Sequence, residues 1–432
     1  MLKKIKNIIS KTDSFFYKKF GSDKSTKILE NINEAQIIFS YLNDKETESQ
    51  TKFVGGCVRK AINGEEIDDI DLATSLTPDE IKSRLNKDGI RIIDTGISHG
   101  TLTVILNKKK FEITTLRKDV STDGRHADVE FTTNWALDAS RRDFTINAIY
   151  ADIEGRIYDP LNGILDLKKG EIKFIGTPDE RIQEDYLRIL RYFRFYNHYS
   201  KAQHNHNIIK SIKRNINGLN KISNERIFVE LIKILKNKNF YNLFTDNSSK
   251  EILLNIFPQF KYYERLKIIS TFSSNLRKNY DTDLILSLLI LDETKDYEYF
   301  CHKYNTSNSI KNKFKNISTN FEIIKSKNFY SKENIKKLIY LLNKNYVKDL
   351  LLFSIFINKK INNADIEELI KFIDICELPK FPISGEYLKN HGYITGQELG
   401  KELKLLEEKW VENNFVLEKK ILEKCLKKKV KS

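Results

Sequence analysis

The sequence predicts an α+β protein in which a mixed α/β half is followed by an all-helical half. Thirteen of the 17 glycines lie at or before Gly218, and none falls between Gly218 and Gly385. A long stretch without glycine is typical of connected amphipathic helices. Residues 1–200 carry 32 basic and 32 acidic side chains, whereas residues 201–432 carry 42 and 27. The whole net charge of +15 therefore belongs to the helical half.

Composition and length exclude several protein classes. A chain of 432 residues with 40% hydrophobic and 31% charged residues is long enough for two to four folded domains. No apolar run approaches the roughly 18 residues that span a membrane, so no membrane partner is expected. The four cysteines form no C-x-x-C pair, which excludes a zinc knuckle and a disulfide framework. A reducing, cytoplasmic location is the expectation.

The N-terminal segment is basic and predicts a helical extension over residues 1–45. It contains no arginine, since the first in the chain is Arg59, and it includes Asp13. Organellar presequences are rich in arginine and poor in acids. We therefore interpret the segment as part of the mature protein, with a presequence as the alternative.

Short β-rich runs separated by polar turns predict a mixed sheet in the first half. The predicted strands cover residues 52–54, 70–72, 90–94, 101–106, 110–116 and 156–159. Between them, residues 77–86 have a helical pattern that opens with Thr77 as N-cap and Pro78 in the first turn. Further helices are predicted over residues 178–199, 227–235 and 335–342.

Asp69 and Asp71 flank Ile70 at the start of a predicted strand. Because strand side chains alternate, the two carboxylates project to one side and can hold one or two Mg²⁺ ions together with substrate phosphates. With Asp68 beside them, an acidic surface turn is the alternative. A third acid, Glu112, either completes the metal site or pairs in solvent with one of the lysines at 108–110.

A glycine pair precedes these acids and strengthens the metal interpretation. Gly55 and Gly56 follow a short apolar strand and allow backbone N–H groups to approach an anion, while Arg59 supplies a forked phosphate donor. Alone, the pair is typical of a tight turn before a helix. Together with the downstream carboxylates, it predicts a site for a triphosphate and a metal.

Two arginine-rich segments complete the set of candidate residues. In the first, Arg141 and Arg142 precede Asp143, and surface capping by Asp143 is the alternative to a functional role for this segment. In the second, helical spacing places acids and arginines on one stripe, which fits either a salt-bridge ladder or a reader of base edges. The residues of this stripe are Glu184, Asp185, Arg188, Arg191 and Arg194.

Seven of these segments occur in the order and at about the spacing found in one family. They read GGCVR, DIDLAT, FEITTLR, DGRHADVEF, RRDFTINA, DPLNGILDL and EDYLRILRYFRF. On these motifs the chain resembles the class II CCA-adding enzymes, tRNA nucleotidyltransferases related to bacterial poly(A) polymerases. The resemblance covers residues 50–200, and residues 381–415 look like the family's tail. Between about 215 and 375 only the helical character agrees.

The resemblance implies a polymerase β-like nucleotidyltransferase head domain over residues 46–165, a helical neck over 166–235, and a body and tail over 236–432. It implies that Asp69 and Asp71 bind catalytic Mg²⁺, and that Glu184, Asp185 and Arg188 select CTP and then ATP. The residues implied to hold the triphosphate are Gly56, Arg59 and Arg142, with Arg191 and Arg194 reaching the phosphates from beside the selecting residues.

The same resemblance has two further implications. Residues 117–131 match the flexible loop associated with the switch to ATP, which argues against an enzyme that adds only CC. One residue departs from the pattern, because Lys60 stands where the family usually has an aspartate. That departure puts in doubt any role of an acid at this position in orienting Arg59.

The implied function is Mg²⁺-dependent addition of CCA to the acceptor end of tRNA, from CTP and ATP and without a nucleic-acid template. The alternatives are a poly(A) polymerase, an enzyme adding only CC or A, and an RNA-binding protein that keeps the fold. A phosphohydrolase is not favoured, because His204 and His206 lack matching acids and are interpreted as surface residues. The basic helical half is expected to supply most of the tRNA binding.

Overall fold

The computed structural model describes residues 27–44, 46, 49–123, 126–269, 271–358 and 362–417. The chain divides into two compact units, Met1–Ile256 and Phe257–Ser432. The basic segment before residue 27, with the presequence alternative, lies outside the described residues. The described part of the predicted extension is helical, with α1 over Lys27–Glu30 and α2 over Asn33–Leu42.

A seven-stranded mixed sheet forms the centre of the first unit. Its strand order is β3-β4-β5-β2-β1-β8-β9. Strands β2 and β5 are parallel to each other, and every other pair of neighbouring strands in this sheet is antiparallel. The strands are β1 Thr51–Val54, β2 Ile70–Thr74, β3 Ile90–Gly96, β4 Thr101–Leu106, β5 Lys109–Thr115, β8 Tyr150–Ala151 and β9 Ile157–Tyr158. This confirms the predicted mixed sheet.

A separate two-stranded hairpin occupies the segment that was predicted as a flexible loop. It consists of β6 Arg117–Asp123 and β7 His126–Phe131. The Arg117 side chain donates a hydrogen bond to the carbonyl of His99. Gly100 (φ 72°) lies so close to Phe131 that a Cβ atom there would be 2.6 Å from the ring. The base of the hairpin is therefore packed against the turn before β4.

Helices cover and extend the sheet. Those of the first unit after α2 are α3 Gly56–Asn63, α4 Pro78–Leu85, α5 Trp135–Ser140, α6 Gly163–Lys169, α7 Pro178–Glu184, α8 Arg188–Tyr199, α9 His206–Asn215, α10 Asn224–Leu235, α11 Asn242–Thr245 and α12 Asn247–Ile256. The predicted start of α4 is confirmed, since Thr77 and Glu80 form a capping box. The sheet core includes the fully buried Phe53, Leu72 and Ile113.

The single helix predicted over residues 178–199 is wrong, because the structure has two helices there. Asp185 is extended (φ −152°, ψ 104°), and its carboxylate accepts a hydrogen bond from the Leu187 N–H at 3.2 Å. Tyr186 packs so closely on Gly218 that a Cβ atom at Gly218 would lie 1.9 Å from the ring. The side-chain turn and this tertiary contact override the helical pattern.

Among its described residues, the second unit contains helices and no strand, as predicted. Its helices are α13 Leu266–Ile269, α14 Ser274–Arg277, α15 Thr282–Ile290, α16 Tyr297–Lys303, α17 Asn308–Thr319, α18 Phe321–Lys325, α19 Lys332–Leu341, α20 Lys344–Ser354, α21 Asn363–Ile375, α22 Gly385–Asn390 and α23 Gln397–Glu412. In the predicted tail, Leu388, Tyr393 and Leu406 form a small core. Within the described ranges, no helix has the length and apolar character that crossing a bilayer requires.

Candidate active site

The glycine pair joins β1 to α3 and lies beside Arg142. Gly55 has φ 68°, and its N–H donates to the carbonyl of Ile149 at 3.0 Å. A Cβ atom at Gly55 would lie 3.6 Å from Nη1 of Arg142, whereas a Cβ atom at Gly56 would meet no atom within 4 Å. The N-terminus of α3 is therefore open on the Gly56 side, with a guanidinium group next to it, which suits an anion.

The acidic residues meet on β2 and β5. Asp69 immediately precedes β2, and Asp71 pairs in parallel register with Glu112 on β5. Burial raises the pKa of Asp71 to about 6, with further increases from Glu112 and Asp69 and an opposing effect from Arg142. Glu112 also forms an ion pair with Lys110 at 2.7 Å. Glu112 thus pairs with a lysine, as one interpretation predicts, and it lies next to Asp71. Its membership of a metal site stays a prediction.

These acids do not make a closed metal cage. Among the residues that the structure describes, no group of three or more His, Cys, Asp or Glu side chains is positioned to hold a metal ion by itself. Mg²⁺ usually takes one or two carboxylates and completes its shell with water and substrate phosphates. The open arrangement of Asp69 and Asp71 fits that kind of site. The raised pKa of Asp71 agrees with it, since a bound cation would stabilise the ionised carboxylate.

Arg142 is held by a buried acid that the sequence did not single out. Asp138 is 1% exposed, and its carboxylate accepts hydrogen bonds from Arg142 Nη2 (3.1 Å), Arg141 Nε (2.8 Å) and Tyr150 Oη (2.7 Å). Burial opposes ionisation of Asp138, but the two arginines and the tyrosine lower its pKa to about 2. Asp138 therefore fixes Arg142 next to the glycine pair.

Arg59 lies deeper than the sequence suggested. It is 6% exposed, and its guanidinium stacks at 4.9 Å on both Phe195 and Tyr199 while donating to Asn147 Oδ1. Lys60 pairs with Asp68 instead. Arg59 is thus oriented by aromatic rings and an amide, without an acid at position 60.

Asp143 is buried and binds several side chains, so the alternative that it is a surface cap is excluded. It is 7% exposed, and its carboxylate accepts from Asn147 Nδ2 at 2.8 Å and from Arg191 Nε at 2.7 Å. Burial opposes its ionisation, yet Arg191 and Asn147 hold the pKa of Asp143 well below its usual range. Through Asn147, this acid links Arg191 on α8 to Arg59 on α3.

The acids and arginines of the second motif do not share one helical stripe. Glu184 ends α7 and pairs with Arg188 at 2.5 Å, which confirms the predicted contact one turn apart. Asp185 instead accepts from Arg226 Nη2 of α10 at 2.9 Å. Arg194 pairs with the buried Glu230, also on α10, at 2.5 Å. The neighbouring helix thus holds part of the motif.

Arg181 connects this motif to the segment that follows α5, and it was not predicted as a site residue. Its guanidinium donates to Glu184 and to the carbonyls of Arg141 and Arg142. The predicted phosphate-binding and base-selecting residues are therefore neighbours in one cluster. The sequence signal for Arg181 was its position three residues before Glu184 in a helical pattern, which places the two side chains on one face.

His204 is not the surface residue that was predicted. Its side chain is 5% exposed, with Nδ1 3.0 Å from Tyr192 Oη and Nε2 2.7 Å from Ser249 Oγ. Its ring also stacks on Tyr196 at 3.6 Å. His204 therefore joins α8 to α12, whereas His206 is exposed as predicted.

Family models match two parts of the chain. The model described as "Poly A polymerase head domain" matches residues 51–173, and the one described as "Probable RNA and SrmB- binding site of polymerase A" matches residues 205–264. The second match reaches into the stretch where the sequence motifs offered only helical character.

Curated relatives match over most of the chain. The chain is 35% identical over 405 residues to "CCA tRNA nucleotidyltransferase 1, mitochondrial" of Mus musculus, covering 88% of this chain and 87% of that protein. The chain belongs to the CCA tRNA nucleotidyltransferase family. The "CCA-adding enzyme" of Lactobacillus helveticus is 30% identical over 393 residues, with 87% of this chain and 92% of that protein covered.

Solved structures of CCA-adding enzymes share the fold. The crystal structure of the Bacillus stearothermophilus enzyme in complex with CTP has a TM-score of 0.70 at 23% identity and covers 92% of this chain and 97% of that one. A Thermotoga maritima enzyme complexed with tRNA has a TM-score of 0.64 at 19% identity, covering 94% and 98%. The predicted head domain followed by helices is confirmed as the architecture of this CCA tRNA nucleotidyltransferase family.

Proposed function

We propose that this chain adds the 3′-terminal CCA to tRNA, taking CTP and ATP as substrates, using no nucleic-acid template and releasing pyrophosphate. The observation that carries the proposal is the cluster around Arg142. This arginine lies beside Gly55, opposes the rise in the pKa of Asp71, and belongs to a backbone segment that Arg181 links to Glu184. A phosphate site, an acidic site and a base-reading site are thus adjacent.

Asp69 and Asp71 are the proposed metal ligands, with Glu112 next to them. Members of this family generally use a divalent metal, and we propose Mg²⁺ because carboxylate oxygens are its preferred ligands. Once held by these carboxylates, the ion would neutralise charge at the transferring phosphoryl group. The raised pKa of Asp71 supports this assignment, since crowded carboxylates gain from a cation.

The triphosphate is proposed to lie between the α3 N-terminus and Arg142. Gly56 leaves open space for an anion, and Arg142 is held in place by Asp138. Arg59 is enclosed by Phe195 and Tyr199, so we assign it the support of Asn147 and of the loop that carries it. Arg191 and Arg194 are tethered to Asp143 and Glu230, and we propose that they flank the phosphates.

Base selection is proposed for Glu184, Asp185 and Arg188. A carboxylate accepts from an exocyclic amine and a guanidinium donates to ring acceptors, a combination that cytosine and adenine share. Glu184 restrains Arg188, while Arg226 and the Leu187 N–H restrain Asp185. Prearranged partners of this kind allow a protein side chain to take the place of a template base.

In the proposed reaction, the 3′-hydroxyl of the tRNA attacks the α-phosphorus of the bound nucleotide in line with the departing pyrophosphate. The O–P bond to the tRNA forms as the bond to pyrophosphate breaks. The protein contributes mainly position and electrostatic stabilisation, as in other phosphoryl transfers. Arg142, fixed by Asp138, is poised to stabilise charge on the transferring group.

A poly(A) polymerase is the second candidate, since the matching head model carries that description. The turn over residues 96–101 has no basic run of the kind associated with that branch. One experiment separates the candidates: the protein is incubated with tRNA lacking its 3′ end and each labelled nucleotide, and the added tail is sequenced. CCA is expected; CC, a lone A or long A tracts would identify another family member, and no addition would favour an RNA-binding protein.

The proposed location is the cytoplasm. The described cysteines Cys57, Cys301 and Cys376 are buried and free, which suits a reducing compartment. Since several similar enzymes are named as mitochondrial, localisation of the tagged full chain, with and without residues 1–26, is the direct test.

A further inference from the structure

Arg181 forms hydrogen bonds with two separate parts of the candidate site. It lies on α7, is 9% exposed, and reaches across to the segment that carries Arg142. We infer that Arg181 is a positioning residue that holds the base-selecting Glu184 and Arg188 in fixed register with the phosphate-binding Arg142. The inference rests on the proposed function of those three residues.

Arg181 both donates and accepts hydrogen bonds within the candidate site. Nη1 donates to Glu184 Oε1 at 2.8 Å, and Nη2 donates to the carbonyls of Arg141 and Arg142. The Arg181 carbonyl in turn accepts from Arg188 Nη1 at 2.8 Å. Arg181 thus contacts two of the three proposed base-selecting side chains, Glu184 and Arg188, and the backbone of the phosphate-binding arginine.

Burying the guanidinium of Arg181 by itself costs free energy of folding. Burial and the nearby Arg188 lower the pKa of Arg181, although Glu184 opposes them. Its Nε is buried without a hydrogen-bond partner among the described residues. A buried guanidinium with an unsatisfied nitrogen costs stability. Retaining it at a junction between two parts of one site is consistent with a role in geometry.

Only a planar fork can make these contacts together. Lysine keeps the charge but has a single nitrogen, which cannot replace two guanidinium nitrogens that point to different groups. In Arg181→Lys, either Glu184 or the two carbonyls would lose their donor. The base would then be held out of register with the α-phosphorus, and a displacement of about 1 Å can slow a reaction roughly a hundredfold.

Asp179 provides a matched control on the same helix. Its carboxylate accepts from Ser211 Oγ at 2.7 Å and from Asn215 Nδ2 at 2.8 Å, and it pairs with Arg214. It anchors α7 to α9 but touches none of the candidate site residues. Asp179→Asn therefore loosens the helix without breaking the link to Arg142.

The test uses the full chain with tRNA ending before the CCA and tRNA ending in CC. For wild type, Arg181→Lys, Arg181→Met and Asp179→Asn, kcat and KM are measured for CTP and ATP, together with misincorporation of UTP and GTP and the Tm. For Arg181→Lys we expect kcat to fall at least about tenfold, KM to change less than about threefold, and the ratio of correct to incorrect addition to fall about tenfold.

Asp179→Asn is expected to lower Tm while leaving that ratio unchanged. The inference is overturned if Arg181→Lys keeps the wild-type ratio, or if Asp179→Asn changes it equally. Should Arg181→Met fail to fold, the lysine variant decides. A wild-type protein that adds no CCA would instead overturn the proposed function, so the two failures are distinguishable.

Discussion

Asp71 and Glu112 lie opposite each other in the one parallel strand pair of the seven-stranded sheet. Parallel pairing places both carboxylates on the same face, and their repulsion adds to burial in raising the pKa of Asp71 to about 6. Lys110 offsets part of the charge by pairing with Glu112. The sheet thus concentrates negative charge where a cation is proposed to bind.

Removing either proposed metal ligand should abolish nucleotide addition. For Asp69→Asn and Asp71→Asn we expect the rate to fall at least about a thousandfold, because several kcal/mol of charge stabilisation are lost. Affinity for tRNA should change little, as measured by filter binding. Asp68→Asn is the control, since Asp68 pairs with Lys60. Wild-type rates in either ligand variant would contradict the assignment.

Glu112→Gln tests whether the third acid belongs to the metal site. If Glu112 supports metal binding by Asp71 without being a ligand itself, the addition rate of Glu112→Gln should fall about tenfold. A higher Mg²⁺ concentration should then restore part of the lost rate. The measurement is the addition rate as a function of Mg²⁺. Lys110→Met, which removes the partner of Glu112, serves as the comparison. An unchanged Mg²⁺ dependence in Glu112→Gln would assign the residue to surface pairing alone.

Asp138 should stabilise the fold in a pH-dependent way. Its folded-state pKa of about 2 lies below the ordinary 3.8, so its contribution is present above pH 3.8 and is lost as pH falls toward 2. Asp138→Asn should lower the free energy of unfolding by about 3 kcal/mol at pH 7, since two buried arginines lose their counter-charge. Roughly 2 kcal/mol of that difference should disappear at low pH.

Urea unfolding at pH 7 and pH 3 measures this difference. Because pH 3 lies between the folded and unfolded pKa values of Asp138, about 1 kcal/mol of it should be lost there. Asp152→Asn is the matched control, because its partner Arg156 is 64% exposed and such pairs contribute less than about 1 kcal/mol. A pH-independent effect of Asp138→Asn would show that the charge of Asp138 is not what stabilises the fold.

Arg226 should influence which nucleotide is accepted. It donates to Asp185 at 2.9 Å from the neighbouring helix α10. In Arg226→Ala, Asp185 loses a partner that orients its carboxylate, so we expect discrimination against UTP and GTP to fall several-fold, about 1 kcal/mol. Competition assays with mixed nucleotides measure it. Arg214→Ala, which breaks an exposed pair with Asp179, should have no such effect.

Binding of tRNA should depend strongly on salt. The excess of 42 basic over 27 acidic side chains after residue 200 suits contacts with phosphates. If about six phosphates are neutralised, affinity should fall on the order of a thousandfold between 50 and 200 mM salt. Filter binding of the full chain across this range is the measurement, and a flat salt profile would refute the proposed role of the basic half.

Local sequence patterns were enough to predict the order of the architecture and most of the candidate residues. Alternating and helical periodicities depend on local side-chain patterns, so the mixed sheet, the helical second half and the capping box of α4 could be predicted. The spacing of Asp69 and Asp71 at the start of β2 and the glycine pair before α3 likewise involve only residues that are neighbours in the sequence. The motifs therefore predict a nucleotidyltransferase site from neighbouring residues alone.

How those residues are held in place depends on contacts between distant parts of the folded chain. Whether Asp143 caps a helix or binds Arg191 depends on groups 48 positions apart, and the break at Asp185 depends on the fit of Tyr186 against Gly218. Asp138, Arg181 and Arg226 act through contacts that no periodicity encodes, because hydrogen bonds between distant segments exist only after packing. The chemistry could be predicted from local spacing, whereas its alignment required the folded chain.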